Sequence, residues 1–141
     1  MKYLSKKTGY LGVVIVLLFA SCGDKTRNDI PYEKFNFTRS INSTNLIHVG
    51  MHEYFSGGVC GIVVYRVDMS TFLAYDRACP YDWRDNGYVI YDPATLQLIC
   101  ESCGSTFNIL NGSPMGNSKA KTSLRQYKVR LIDDMTLQVF N

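Results

Sequence analysis

The sequence predicts an all-β domain of antiparallel sheet or small barrel type. Three observations carry that expectation. Aromatic and β-branched residues recur in short runs, turn residues separate the runs at close spacing, and no long stretch keeps a helical 3.6-residue period. Connections this short join antiparallel neighbours, because a parallel pair needs a crossover of a dozen or more residues.

Taken in order, Phe35 to Ile41 and Leu46 to Val49 read as strands, followed by Glu53 to Phe55. Gly57-Gly58 then breaks the chain ahead of the strongest run, Val59 to Val67. There Val59, Val63, Tyr65 and Val67 share one face, and Cys60, Ile62, Val64 and Arg66 share the other. Both faces are largely apolar, which predicts a central strand and makes Cys60 an inert core thiol. Asp68 to Ser70 turns into Thr71 to Asp76. A second hairpin joins Tyr88 to Tyr91 and Leu96 to Cys100 through Asp92-Pro93. Phe107 to Leu110 leads into the Asn111-Gly112 turn. Leu124 to Ile132 and Thr136 to Phe140 close the chain as a third hairpin around Asp133-Asp134.

The first twenty-one residues read as an address. Lys2, Lys6 and Lys7 precede an unbroken apolar run from Leu11 to Ala20. A run of about ten residues is too short to span a bilayer core and suits a signal peptide. It ends in Phe19-Ala20-Ser21-Cys22, which resembles a bacterial lipoprotein box. The resemblance implies removal of residues 1–21, acylation of Cys22, a tether over 22–32, and a domain over 33–141. The protein is then expected in the bacterial cell envelope, anchored to a membrane, with the periplasmic or surface side open. Losing the leader takes Lys plus Arg from 15 to 12, against 12 Asp plus Glu. A neutral balance gives no reason to expect nucleic acid as a partner. The roughly 110 remaining residues suffice for one core.

Chemistry concentrates in two short segments. Cys79-Pro80-Tyr81 lies some twenty residues before Cys100-Glu101-Ser102-Cys103-Gly104-Ser105-Thr106-Phe107. Together they resemble the cluster boxes of the Rieske [2Fe–2S] family, Cys-x-His and Cys-x-x-His-Gly-Ser-x-Phe. Both histidines are replaced, by Tyr81 and by Cys103. The resemblance implies a Rieske-like fold over roughly Gly57 to Phe140, with a loop-hairpin subdomain at about 77–115 and a covering loop at Gly112-Ser113-Pro114. It also implies Ser105 as a hydroxyl donor to a cluster sulfur. Members with a bracing disulfide carry one more cysteine in each box; Arg84 and Ser102 stand there, so that brace is not expected.

Three arrangements follow for the altered boxes. In the first, Cys79 and Cys100, which the family places on one iron, form a disulfide; the protein is then a non-catalytic envelope module, with Cys103 free or paired to Cys60. In the second, a [2Fe–2S] cluster is held by Cys79, Cys100, Cys103 and Tyr81, giving an electron-transfer protein with a protein redox partner in an envelope chain. In the third, Cys79, Cys100 and Cys103 bind zinc, with Asp82 or water as the fourth ligand. A redox dithiol at Cys100 and Cys103 stands beside the third. His48 and His52, the two histidines, fall in strand and turn rather than on one helix face, so they are weak metal candidates. No nucleophile–base pair, phosphate loop or carboxylate pair points to an enzyme.

Overall fold

The computed structural model describes residues 30–141. The leader over 1–21, the lipidation position Cys22 and the tether as far as residue 29 lie outside the described residues. Among the described residues no helix is long and apolar enough to cross a membrane. The strands, in chain order, are β1 Asn36–Ser40, β2 His52–Phe55, β3 Ile62–Arg66, β4 Phe72–Asp76 and β5 Val89–Asp92. They continue as β6 Gln97–Cys100, β7 Thr106–Asn108, β8 Pro114–Met115, β9 Gln126–Asp133 and β10 Thr136–Phe140. They form a six-stranded sheet in the order β1-β10-β9-β4-β3-β2 and a four-stranded sheet β5-β6-β7-β8. Every pairing is antiparallel. The fold is the all-β class the sequence predicts.

The small sheet is an insertion. β4 and β9 pair directly, Ala74 opposite Tyr127 and Tyr75 opposite Gln126, and everything between them is sent out as β5 to β8 with both box loops. β3 lies between β2 and β4 and is buried along its whole length, as its two apolar faces require. Val63 and Tyr65 face a core shared with Tyr75, Val89, Leu98, Phe107, Cys79 and Cys100. Ile62 and Val64 face a second core with Ile41, Leu46, Tyr127, Leu137 and Val139. The period-2 alternation of one strand thus feeds two cores.

Three expected strands are cut short or absent. Leu46 to Val49 is not extended: residues 41–43 and 45–47 form 3-10 turns. Ser43 Oγ donates to the Ser40 carbonyl and Thr44 Oγ1 accepts from the Leu46 N–H, so local side-chain bonds outcompete a sheet ladder. Leu46 is the buried anchor of this segment, with Ile47 and Val49 left exposed. The run at Val59 becomes strand only at Ile62. Gly57, Gly58 and Gly61 all take positive φ, and the Val59 and Cys60 amides donate to Asp76 at 2.7 and 3.2 Å instead of to a neighbouring strand. Cys60 is therefore a half-buried turn residue, not a core residue in mid-strand. β7 stops at Asn108, whose Oδ1 caps the Leu110 N–H at 2.8 Å.

Candidate metal centre

Both boxes are loops closed by backbone bonds on their opening cysteine. In the first, Cys79 N–H donates to the Gly87 carbonyl at 3.0 Å, and the Cys79 carbonyl accepts from Asp82 and Trp83 at 3.2 and 2.9 Å. A 3-10 turn at Trp83–Asp85 and a left-handed Asn86 then return the chain, and Gly87 N–H reaches the Asp82 carbonyl at 3.0 Å. In the second, Cys100 ends β6, its N–H donates to the Ser105 carbonyl at 2.8 Å, and Gly104 N–H donates back to the Cys100 carbonyl at 2.8 Å. Gly104, at φ 75°, makes the reversal possible.

The two closed loops face each other and bring four donors together. One ligand atom each from Cys79, Asp82, Cys100 and Cys103 lies within 4.8 Å of the other three. Cys79 Sγ is 3.7 Å from Cys103 Sγ, and Cys100 Sγ is 3.4 Å from Asp82 Oδ1. Cys79 and Cys100 are fully buried, Asp82 is buried and Cys103 is half-buried. Backbone N–H groups serve all three sulfurs: Tyr81 on Cys79, Cys103 on Cys100 and Ser105 on Cys103. Such donors favour thiolate over thiol.

Proton affinities within this cage are pulled apart. A bond from Cys79 brings the Cys100 thiol down to about 7, the Cys103 N–H adding to the effect. That same bond, then burial and Asp82, push the Cys79 thiol up. Burial also raises Cys103. Cys100 is thus shifted toward the thiolate and the other two sulfurs toward the thiol, and a bound cation favours the deprotonated form of all three.

The support around the cage is equally specific. Buried Ser105 Oγ accepts from Ala120 N–H at 3.0 Å and from the Cys103 thiol at 3.1 Å. Ser118 Oγ accepts from Thr106 N–H and donates to the Thr106 carbonyl, both at 3.0 Å. The segment bonded over the second box is thus 115–120. Gly112-Ser113-Pro114, where the cover was expected, instead leads into edge strand β8 beside Phe107.

The residues named from the sequence take these places. Cys60, Cys79, Cys100 and Cys103 are all free, so neither a Cys79–Cys100 bridge nor a Cys60–Cys103 bridge is formed. Asp82, one residue beyond Tyr81, brings its carboxylate to the sulfurs, while Tyr81 supplies its backbone N–H and a ring 5.9 Å from Lys119 Nζ. Neither histidine belongs to the group; His52 packs on Tyr91 at 4.5 Å between ring centroids. Sequence reasoning missed Gly87 and Asp76. Gly87 leaves the space that the Asp82 carboxylate occupies. Asp76 accepts from Val59, Cys60, Ala78 and Tyr127, fixing the backbone beside Cys79.

The donor spacing can be compared with what each metal group demands. With metal–sulfur bonds of ~2.3 Å and metal–oxygen bonds of ~2.0 Å, one tetrahedral ion sets its ligands ~3.8 Å apart for two sulfurs and ~3.5 Å for sulfur and oxygen. In a [2Fe–2S] cluster, treated as two edge-sharing tetrahedra of the same bond lengths, donors on different irons stand ~5.1–6.5 Å apart. Whichever way the four donors are divided, four of the six pairs would have to exceed the 4.8 Å observed. The residues present fit a single ion and do not fit the binuclear cluster.

No protein-family model matches the sequence, and no curated protein matches it. Solved structures do share its fold. The ferredoxin of carbazole 1,9a-dioxygenase from Nocardioides aromaticivorans IC177 is 16% identical, with a TM-score of 0.51 over 78% of this chain and 96% of that one. A complex of reduced oxygenase and oxidized ferredoxin in carbazole 1,9a-dioxygenase is matched at 18% identity and a TM-score of 0.52, over 76% and 94% of the two chains. The likeness at these identities is one of architecture: the chain has a Rieske-like fold, with its cysteine-rich group where the two boxes meet.

Proposed function

We propose that the protein is a one-electron carrier of the bacterial cell envelope, tethered by lipid at Cys22 and holding a metal centre on Cys79, Asp82, Cys100 and Cys103. One observation carries this reading: three sulfurs and a carboxylate converge on one largely buried point, with a backbone N–H on every sulfur. A thiolate-rich centre under a thin protein cover suits exchange of single electrons with another protein. The matched ferredoxin that is in complex with an oxygenase supports a protein as the redox partner. The leader and the Phe19-Ala20-Ser21-Cys22 sequence support the tether.

Voltammetry of protein isolated anaerobically from membranes tests the carrier. A reversible one-electron couple is expected, together with visible thiolate-to-metal absorption, and both disappear in Cys100→Ser. A colourless, redox-silent wild type would overturn the reading. The tether is tested separately by palmitate labelling, which Cys22→Ser should abolish.

A second reading is favoured by the same short sulfur separations. In an oxidising compartment a metal-free cage can close a disulfide, giving a bridged, non-catalytic module. Intact mass without reductant would then fall by two hydrogens per chain.

A further inference from the structure

Resting on the metal-centre reading, we infer that the cage holds one tetrahedral transition-metal ion ligated by three thiolates and one carboxylate, in place of the binuclear cluster that Rieske-like folds imply. The 4.8 Å ceiling on all six edges of the donor tetrahedron carries the argument, and two non-adjacent edges match the dimensions of a single ion. The Cys79–Cys103 edge measures 3.7 Å and the Cys100–Asp82 edge 3.4 Å. The expected edges for a single ion are ~3.8 and ~3.5 Å. Both edges would equally suit donors sharing one iron of a binuclear cluster; the 4.8 Å ceiling on all six edges is what excludes the ~5.1–6.5 Å separations between donors on different irons.

The altered boxes explain why the cage contracts. A histidine reaches its metal with a ring, whereas a cysteine at position 103 carries its donor on Cβ and ends much nearer its own backbone. The second metal position of a binuclear cluster is therefore drawn toward the first. Asp82 completes the set from the first loop, made possible by bare Gly87 at its side. Three thiolates and a carboxylate carry four negative charges, so a divalent ion leaves the buried centre at minus two and a trivalent ion at minus one. The backbone N–H groups on all three sulfurs, with Ser105 Oγ beside Cys103, disperse that charge. Thiolate-rich tetrahedral sites select iron or zinc. Iron is the ion that the carrier reading requires.

The test is metal and acid-labile sulfide analysis of the anaerobically isolated, lipidated protein, followed by Co²⁺ titration after the native metal is removed. One iron per chain without labile sulfide is expected. Cobalt should bind once per chain, with the intense d–d absorption of tetrahedral geometry and sulfur-to-cobalt charge transfer. Asp82→Asn should keep the stoichiometry, shift the cobalt spectrum, and weaken binding by no less than the ~10–100-fold that follows loss of an outer-shell partner. Two irons with two sulfides per chain would overturn the inference and leave the electron carrier standing. One zinc and no iron would uphold the single-ion site and remove the carrier. Failure to take up any metal would overturn both.

Discussion

At Gly87 an added Cβ would stand 2.0 Å from Asp82 Oδ1 and 2.3 Å from its Cγ, so a side chain there and a carboxylate turned toward the sulfurs exclude each other. The backbone at this residue is not in the left-handed region, and alanine meets no conformational strain. Gly87→Ala should therefore leave the domain folded while displacing the Asp82 carboxylate. The expected outcome is Co²⁺ affinity lower by about 10–100-fold, measured by competition with a chromophoric chelator. Wild-type affinity in a folded Gly87→Ala protein would show that the carboxylate is not a ligand. Such a requirement is invisible in the chain alone, because Gly87 follows Asn86 and reads as turn punctuation. By contrast, Cys79, Cys100 and Cys103 stand out at once, since short loops opening on cysteine have few other uses. Asp82 was legible only as a fourth ligand to three thiolates. The box alignment pointed to Tyr81, whose place is set by the need to aim its N–H at Cys79.

Hairpins were legible for a local reason. Asp68, Asp92 and Asp133 each open a turn and accept the backbone N–H two residues on, at 2.8, 3.1 and 2.9 Å. With the Thr95 hydroxyl as the larger cause at Asp92, these local bonds hold the carboxyls below the usual range. All the groups involved lie within a few residues, so the pattern is written in the sequence. The clamp at Asp76 is the opposite case. Its carboxylate, buried at the end of β4, gathers Val59 and Cys60 from one turn, Ala78 from the first box and the Tyr127 hydroxyl from β9 at 2.6 Å. Those partners meet only in the folded sheet, and residues 59–61, read from the sequence as the start of a strand, belong to the turn that this clamp holds. Tyr127→Phe removes one donor to a carboxylate and should cost about 2 kcal/mol in urea denaturation. Asp76→Ala strips the acceptor from four donors at once and should cost about 4 kcal/mol or more. If the two variants unfold at the same denaturant concentration, the carboxylate is not the organising group.

For the molecule as a whole, the question is what locks the small sheet to the large one, since the candidate metal centre sits on the small sheet and its first loop springs from β4. Part of the answer is the shared core under β3. The rest is an aromatic joint: β2, an edge of the large sheet, places His52 against Tyr91 of β5 at 4.5 Å, and Tyr54 Oη accepts the Tyr91 N–H at 2.8 Å. Burial lowers the His52 pKa from 6.5, Arg77 adding to the effect and Glu53 opposing it. The unfolded chain therefore binds this proton more readily than the folded one. The joint's contribution is complete above 6.5 and is lost as pH falls through the lower folded value. Other groups act in different windows. Cys100, brought down from 9.0 to about 7 in the metal-free protein, has its effect between those values. The turn carboxylates, whose ordinary value is 3.8, act below it. Urea midpoints measured from pH 6.5 down to about pH 5 thus isolate the histidine. The wild type should lose stability across that interval, and His52→Gln should be flat. A parallel decline in both proteins would mean that a group other than His52 titrates across this interval, and that the packing of His52 on Tyr91 does not make the joint between the two sheets sensitive to acid.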